Sequence, residues 1–518
     1  MEKKEIPFIS RLFLPSIFDL IVVLVFVIMF MAHQTMKDFD MWWHLRTGQV
    51  LLQGIFPTTD IFSFTAYGKP WILHEWGSEV IFYLLNKTFG AGSIMLLRAL
   101  LAAFSLGMVF KIMMRKRIDI FVALFLTIIT LFATSKIWGE RPHLFTVLFL
   151  TFLIYLYNEY KYYNNNKVLL VLPVLFIVWI NLHGGYVIGF IYLGACIAAE
   201  TFNNFFQFNK DDVFPQSRIN RLIGITALSF LCTFINPNTY RGVLYPLLYV
   251  GDKMPDFHKI IQEWMVSSWE NSKDFVLVFL FVISMLSLSS IKPKLDELAL
   301  ILVFGYFAFS AQRHVPLFVI VVLPIIAPQV QGTMAHFFDS FFQVAPHKGK
   351  QTIQKIINYF KDRSDNFVCL EEKLSIHGTL VVFIAIVSFF VLSGKLDKPL
   401  GIGIDKTVYP YEVVDYLKTK KLNGNMFNQY RWGGYLIWEL PDNKVFIDGR
   451  LDIFQKKGMD EYYKVMGLQN GWEEVLKKYN INYILVDKEQ TISKFLLRVS
   501  NDWFLEKEDK KALLFSRK

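Results

Sequence analysis

Eleven long apolar stretches follow one another through the first 393 residues, and a chain built this way has few folds open to it. A bilayer offers no water to backbone N–H and C=O groups, so stretches that cross it must be helices. One crossing takes roughly 20 apolar residues. The stretches run at about 14–34, 92–110, 119–135, 143–157, 168–181, 184–200, 222–236, 275–290, 297–311, 315–331 and 376–393. Lys3, Lys4 and Arg11 precede the first, and no small-residue cleavage site closes it, so it reads as a retained signal anchor. The composition agrees: 54% of the 518 residues are hydrophobic and only 19% charged, against about a quarter charged in soluble domains. The net charge of +10 fits topology-setting and lipid-facing basic residues, and no nucleic-acid partner is expected. Cys196, Cys232 and Cys369 have no metal-type spacing; the first two read as buried in helices, and no disulfide framework is expected.

Two segments decide the topology. Residues 71–90 carry His74, Glu75, Glu79 and Lys87, too much charge for a span, and read as a helix at the membrane interface. Residues 168–200 are too long for one untilted span, and Asn181-Leu-His-Gly-Gly185 splits them into a helical hairpin. With the N-terminus in the cytoplasm, the inner segments then hold twenty lysines and arginines and the outer loops eleven, the sign the positive-inside rule demands. Gly185-Tyr-Val-Ile-Gly189 is a pattern that lets helices pack closely.

The chain therefore divides into a helical transmembrane domain, 1–393, with a first outer loop at 35–91, and an extracytoplasmic domain, 394–518, rich in Lys, Asp, Glu and Tyr. The second reads as a small α/β domain, with helices at 409–421 and 472–479 and strands at 444–448 and 483–487. The location this implies is the cytoplasmic membrane of a cell, multi-pass, with the C-terminal domain outside.

This topology gathers chemistry on the outer side. The first loop holds Asp38, Asp40, His44, Arg46, Lys69, His74, Glu75 and Glu79, and the second Glu140-Arg141-Pro142-His143. The third holds Asn181 and His183, the fourth Asn236, Arg241, Asp256, His258 and Glu263-Trp264, and the fifth Arg313-His314. Six of the ten histidines fall there, beside membrane spans, where ionisable groups are costly and mark function. A single such loop is ordinary; five on one side point to a shared cleft. Asp40 follows the first span and is flanked by Trp42 and Trp43, residues that favour the headgroup depth. Partial desolvation there would raise its pKa and suit a general base; the plainer reading is an N-cap for a helix starting near Met41. Lys69, Arg141 and Arg313 are cations placed to meet a lipid phosphate or, on the plainer reading, headgroups. Asp38, Asp40, His44, His74 and Glu75 supply ligand types for a divalent cation, without a diagnostic spacing. No phosphate-binding or nucleotide-binding glycine motif and no nucleophile-elbow motif is present, which argues against an ATP-driven pump.

The first 115 residues resemble the opening module of the GT-C membrane glycosyltransferases, the superfamily of protein mannosyltransferases and lipid A aminoarabinose transferases that use polyprenyl-phosphate sugars. The order is Asp40, a helix from Trp42 to Gly54, Lys69-Pro70, an amphipathic segment from Trp71 to Leu85, Phe89-Gly90, and Arg98 entering the second span. The whole chain is similar to a bacterial group of such membrane proteins, through Asp40-Met-Trp-Trp-His-Leu45, Arg141-Pro-His143, Asn181-Leu-His-Gly-Gly185, Glu263-Trp264 and Arg313-His314. The resemblance implies a GT-C-like fold, Asp40 as catalytic carboxylate with Asp38 as its alternative, Lys69 on the donor phosphate, and transfer of a sugar from a polyprenyl-phosphate donor to an acceptor glycan, lipid or protein. Where relatives carry Asp-Glu or Glu, this chain has Asp38-Phe-Asp40-Met41, and their Lys-Pro-Pro is Lys69-Pro70-Trp71. In the tail, Tyr430-Arg-Trp-Gly-Gly-Tyr435 and Phe446-Ile-Asp-Gly-Arg450 are loosely similar to the acceptor-reading element of oligosaccharyltransferases, without its Asp. This makes Trp432, Tyr435, Asp448 and Arg450 weak acceptor candidates, beside the plainer reading of a turn and strand in a small core. His143, His183, Glu140, Glu263 and His314 complete the candidate cleft. Two other classes fit the sequence: a transporter or flippase for a lipid-linked saccharide, and a non-catalytic assembly factor with an external binding domain.

Overall fold

In the computed structural model of the protein, the described residues are 12–32, 34–208, 210, 213–249, 262–344, 347–374, 377–394, 403–420, 422–499 and 502–518. Lys3, Lys4, Arg11, Asp256 and His258 lie outside them.

Each apolar stretch becomes a helix. The bundle begins with α1 (Ile17–Ala32), the short strand β1 (Thr35–Met36), α2 (Met41–Leu52), α3 (Trp76–Phe89), α4 (Ala91–Arg115), α5 (Ile120–Ala133) and α6 (His143–Tyr163). It continues with α7 (Leu172–Leu182), α8 (Tyr186–Phe206), α9 (Gln216–Cys232), α10 (Tyr240–Leu244), α11 (Lys273–Leu288), α12 (Leu295–Ser310), α13 (Val315–Val344), α14 (His347–Lys373) and α15 (Gly378–Leu392). Among the described residues, Ala91–Arg115, Tyr186–Phe206 and Gln312–Phe338 are long and apolar enough to cross a membrane; Ile17–Ala32, Ile120–Ala133, Asn166–Leu182 and Gly378–Leu392 are shorter apolar helices. The chain is a polytopic helical membrane protein.

Of the two segments that decide the topology, 71–90 is helical only from Trp76 and 168–200 forms a helical hairpin. Residues 76–89 form α3, packed on α2. The chain reverses at His183–Gly185, so that Phe176 of α7 stacks on Phe190 of α8 at 4.0 Å between ring centroids. The basic stretch before α15 is itself a helix, α14. It reaches back to cap two others: Glu371 Oε2 accepts from Ile17 N at 2.7 Å, and Ser364 Oγ accepts from Ile120 N at 3.1 Å, meeting N–H groups that a helix start leaves unpaired.

The C-terminal part adds β2 (Gly403–Ile404), α16 (Tyr411–Lys420), β3 (Asn425–Asn428), α17 (Gly433–Glu439), α18 (Leu451–Met466), α19 (Trp472–Lys478), β4 (Ile481–Asp487), α20 (Thr491–Arg498), β5 (Trp503–Glu508) and β6 (Ala512–Arg517). Its sheet has the order β3-β4-β6-β5, with β3 parallel to β4 and the other pairs antiparallel. Two sequence expectations need correction. Residues 444–448 are not a strand of this sheet: Val445 pairs with the first loop instead, its N–H on Phe62 O at 3.0 Å and its carbonyl on Phe64 N at 3.1 Å. The side chain of Asn428 takes the place of a neighbouring strand, accepting from Phe446 N at 2.8 Å and donating to Ile447 O at 2.9 Å. Trp432 to Tyr435 is a helical turn leading into α17 rather than a turn and strand. Of the cysteines, all free, Cys196 is buried, whereas Cys232 is only partly so.

The C-terminal part is locked onto the first loop. β1 pairs in parallel with β2. Trp42 meets Tyr409 and Tyr435 edge-on, at 5.6 and 5.2 Å. Arg450, 3% exposed, lies between two fully buried carboxylates, at 2.6 Å from Asp448 Oδ2 and 2.8 Å from Asp60 Oδ1. Asp60 belongs to the loop; it is fixed by Ser63, whose N–H and hydroxyl both donate to its Oδ2. Removing one member of such a buried cluster strands the other charges and costs about 3–5 kcal/mol. Arg450→Met is expected to lower the thermal unfolding midpoint in detergent, and adding Asp60→Asn and Asp448→Asn to it is expected to recover part of the loss. An unchanged midpoint for Arg450→Met would remove this cluster as the lock.

Candidate active site

Asp40 occupies the position just before α2, where its backbone carbonyl accepts from Trp43 N at 3.1 Å and His44 N at 3.3 Å. Its carboxylate makes no capping hydrogen bond. It turns instead to Arg141, whose Nη2 lies 3.1 Å from Asp40 Oδ2 while Nε donates to Asp38 Oδ2 at 2.5 Å. Asp38 Oδ1 in turn accepts from Asp40 N at 2.9 Å. One guanidinium thus holds two carboxylates of a Asp-x-Asp turn.

Arg141 is placed by its neighbour. Glu140 Oε1 lies 2.9 Å from Arg98 Nη1, and Arg98 Nη2 donates to Met29 O at 2.8 Å, which ties the turn before α6 to α4 and to the end of α1. The third nitrogen of Arg141 faces Glu263 Oε2 at 3.7 Å, and Glu263 Oε1 faces Arg313 Nη1 at 3.9 Å. Arg313 stacks on Trp264, 4.3 Å above the ring. Burial pushes the pKa of Asp40 up to about 6; Arg141 opposes this, and Asp38 and Glu263 reinforce it.

Backbone from the C-terminal part closes the other side. A Cβ on Gly449 would stand 1.9 Å from Asp40 Oδ1, and one on Gly434 would stand 2.6 Å from Phe39 O. Only glycine allows these approaches. The segment containing Gly449 and the Trp432–Tyr435 turn therefore wall the carboxylate in.

A second cluster surrounds Glu75. His183 Nε2 lies 3.4 Å and His74 Nε2 3.5 Å from Glu75 Oε1, and His44 Nδ1 lies 3.9 Å from Oε2. The tautomer of His183 follows from its partners. Gly185 N donates to its Nδ1 at 3.0 Å, and Thr146 Oγ1, which accepts from Trp179 Nε1, lies 2.7 Å from the same atom. Nδ1 is the acceptor, so the proton sits on Nε2, facing Glu75. Burial lowers the pKa of His183 to about 3 and of His44 to about 4, and both are neutral. At His74, burial is outweighed by the charge and hydrogen bond of Glu75, which raise its pKa. At Glu75, burial is likewise outweighed, and the histidines hold its pKa well below the usual range. Glu79, fully buried and 3.3 Å from His44 Nδ1, is pushed far the other way by burial and by Glu75. Among the described residues, no group of three or more His, Cys, Asp or Glu is arranged to hold a metal ion; the proton on His183 Nε2 takes up the lone pair that a ligand would use.

The five loops that sequence parity assigns to one side do meet. Besides the contacts above, Trp76 Nε1 donates to Asn181 Oδ1 at 2.8 Å, Asn238 Nδ2 donates to Leu73 O at 2.8 Å, and Tyr245 stacks on His74 at 3.7 Å. His143 Nε2 is bound to Ile137 O at 2.6 Å, and His314 Nδ1 faces Phe307 O at 3.2 Å, its pKa lowered to about 4 by burial and Arg313. Other candidates lie elsewhere. Lys69 is exposed and lines a separate groove with Lys457 and Lys478. Trp432 and Tyr435 are fully buried and, with Asp448 and Arg450, build the junction. Sequence reasoning missed Asp60, Thr146 and Gly449. Paired charges are also not confined to this end: Lys161 of α6 lies 2.6 Å from both Glu200 and Asp296, and Arg115 and Lys116 pair with Glu159 and Glu297.

No family model and no curated protein matches the sequence. Solved structures do match. The oligosaccharyltransferase of Archaeoglobus fulgidus, in its apo form, aligns over 91% of this chain and 69% of its own, at 11% identity and a TM-score of 0.53. The same enzyme tethered to an acceptor peptide with an NVT sequon aligns over the same shares at 12% identity and 0.52. ArnT of Cupriavidus metallidurans bound to undecaprenyl phosphate aligns over 96% and 97% at 10% identity, with a TM-score of 0.47. By its likeness to the oligosaccharyltransferase structures the chain shares their fold, that of GT-C membrane enzymes, with a C-terminal α/β part.

Proposed function

We propose that this protein is a membrane glycosyltransferase that moves a sugar from a polyprenyl-phosphate donor to a hydroxyl acceptor at the extracytoplasmic face. The observation that carries the reading is Asp40: a carboxylate released from helix capping, walled by the C-terminal part and paired with Arg141. The fold it shares with an oligosaccharyltransferase supports the class of reaction.

The chemistry follows from the groups present. The acceptor O–H gives its proton to Asp40 as its oxygen attacks the anomeric carbon. The bond from that carbon to the phosphate oxygen breaks, and the lipid phosphate leaves with the electron pair. Arg141 and Arg313 lie on the same chain of charges and offset that developing negative charge. An arriving phosphate competes with Asp38 and Asp40 for Arg141, which frees the base as the donor binds. Asp38, bonded to the main-chain N–H of Asp40, holds the turn.

A carrier for the same lipid is the second reading, favoured by the buried Lys161–Glu200–Asp296 cluster away from Asp40. One experiment separates the two. Membranes containing the protein are given a labelled polyprenyl-phosphate sugar. Asp40→Asn is expected to abolish transfer, with the label remaining on the lipid and the protein folded. Full transfer in that variant defeats the assignment of Asp40, and movement of intact lipid without cleavage in either protein favours the carrier.

The pH dependence has a definite sign. Asp40 acts as base only when ionised, so transfer is expected to rise with pH through about 6. Arg141 lowers the pKa of Asp40, so Arg141→Gln is expected to move that limb to higher pH as well as to slow transfer. A limb that stays in place in Arg141→Gln would show that another group is titrating.

A further inference from the structure

Two buried indole donors stand at the start of α2 with no hydrogen bond closed on them, Nε1 of Trp42 and Nε1 of Trp43. Leaving such a donor unpaired away from water is costly, and the exceptions mark strain, a catalytic role or a bound partner. Trp42 is turned to the rings of Tyr409, Tyr435 and Trp438. Trp43 is turned to Asp40. A Cβ on Gly449 would stand 1.9 Å from Asp40 Oδ1 and 3.2 Å from Trp43 Nε1, so both atoms border the one point where Gly449 carries no side chain. Arg141 takes the other oxygen, Oδ2, at 3.1 Å. Trp43 acts on Asp40 as a donor does, lowering its pKa as Arg141 also does.

The indole is braced from two sides. Its ring lies against the His44 imidazole, 3.6 Å between centroids, and His44 Nδ1 is 3.3 Å from Glu79 Oε1 of α3. Gly48 lets α3 come this close to α2, because a Cβ there would stand 2.1 Å from Glu79 O. On the side of the C-terminal part, a Cβ on Gly434 would stand 3.3 Å from Trp43 Cδ1. Trp43 is 8% exposed as a result. The proposed displacement uses neither His44 nor Glu79, and bracing this ring gives both a role.

From this we infer that Trp43 is a positioning residue for Asp40: its N–H is kept for Oδ1 and aims the carboxylate once Arg141 has turned to the donor phosphate. The inference rests on the glycosyltransferase reading and adds to it the group that steadies the base. A phosphate that draws Arg141 off Oδ2 leaves a poorly solvated carboxylate with no cation on it, and burial then favours the protonated form. A neutral donor fixed in the wall is not drawn off with the guanidinium, so it keeps Asp40 ionised and in place at the moment the acceptor proton must move.

The test has one arm with turnover and one without. Transfer is measured against pH for the full-length wild type, Trp43→Phe and Trp42→Phe. The charged and titratable groups that face Asp40 are Asp38 of its own turn, Arg141 before α6, Glu263 of the fourth loop and Tyr430 of the C-terminal part, and every variant keeps them. Trp43→Phe removes the N–H and keeps a ring. Its rising limb is expected to move up by about one pH unit, the tenfold change in proton affinity that one hydrogen bond to a charged group makes. Transfer is then several-fold lower at about pH 6 and recovers as the pH rises, which a packing defect would not do. Trp42→Phe, an equal loss of ring beside it, is expected to leave the limb in place. Gly449→Ala keeps Trp43 whole and fills the point between the two atoms, and is expected to move the limb the same way, so the test holds where Trp43→Phe does not fold. Labelling of Asp40 by a water-soluble carbodiimide, read by mass spectrometry across pH, follows its protonation without turnover and is expected to show the same displacement. A labelling midpoint that stays in place in folded Trp43→Phe or in Gly449→Ala overturns the proposal, as does an equal shift in Trp42→Phe. Full transfer in Asp40→Asn removes Asp40 as the base and leaves the labelling result standing, so this inference and the catalytic reading fail by different outcomes.

Discussion

One guanidinium organises the polar end of this molecule. Arg141 contacts Asp38 and Asp40 from the first loop and Glu263 from the fourth, and Glu263 leads on to Arg313. Closely spaced carboxylates in a poorly solvated loop cluster repel each other and lose hydration, so they stand together only with a cation between them. Meeting that need forces segments about a hundred residues apart into contact. Arg98, through Glu140, keeps the guanidinium from relaxing towards water. The position of the proposed base is therefore set by a charge balance rather than by the helix it precedes.

The same physics decides what a sequence reveals. Apolar runs long enough for a helix announce themselves, and every predicted stretch is helical, with a charged helix at 76–89 and the reversal at 183–185. The gathering of five loops followed from parity alone. The partnerships inside the gathering did not. Nothing in the spacing of His44, His74 and His183 says that they share Glu75 and leave Asp40 to an arginine, because a contact between residues a hundred positions apart leaves no periodicity. Residues 444–448 have strand-like composition, but the choice between a sheet and the first loop rests on Asn428, one side chain from another element. Counting charges in loops also overlooked Lys161, Glu200 and Asp296, which lie within helices and pair at a different place.

The C-terminal part is tied to this end by the buried Asp60–Arg450–Asp448 cluster and by the Trp42–Tyr409–Tyr435 rings. The glycines at 434 and 449 then let its backbone press on the Asp40 turn. Trp432 and Tyr435 look like recognition residues in a sequence, yet they are buried and serve that contact. A wall made of backbone rather than side chains is unreadable in advance, since its only sequence trace is a glycine among many.

Four carboxylates close to one another have four different environments, and that difference bears on the role proposed for each. Glu75 is surrounded by imidazoles that hold it ionised. Glu79, fully buried beside Glu75, favours its protonated form. Asp38 accepts from both Arg141 and the main-chain N–H of Asp40, and so holds the turn. Asp40 has burial against it and a shared arginine for it, and its pKa of about 6 falls within reach of neutral pH. A group far from neutrality in either direction exchanges protons poorly, and a catalytic base works best when its pKa lies near the working pH. The environment of Asp40, rather than its place in a motif, is the physical reason to assign the proton transfer to it.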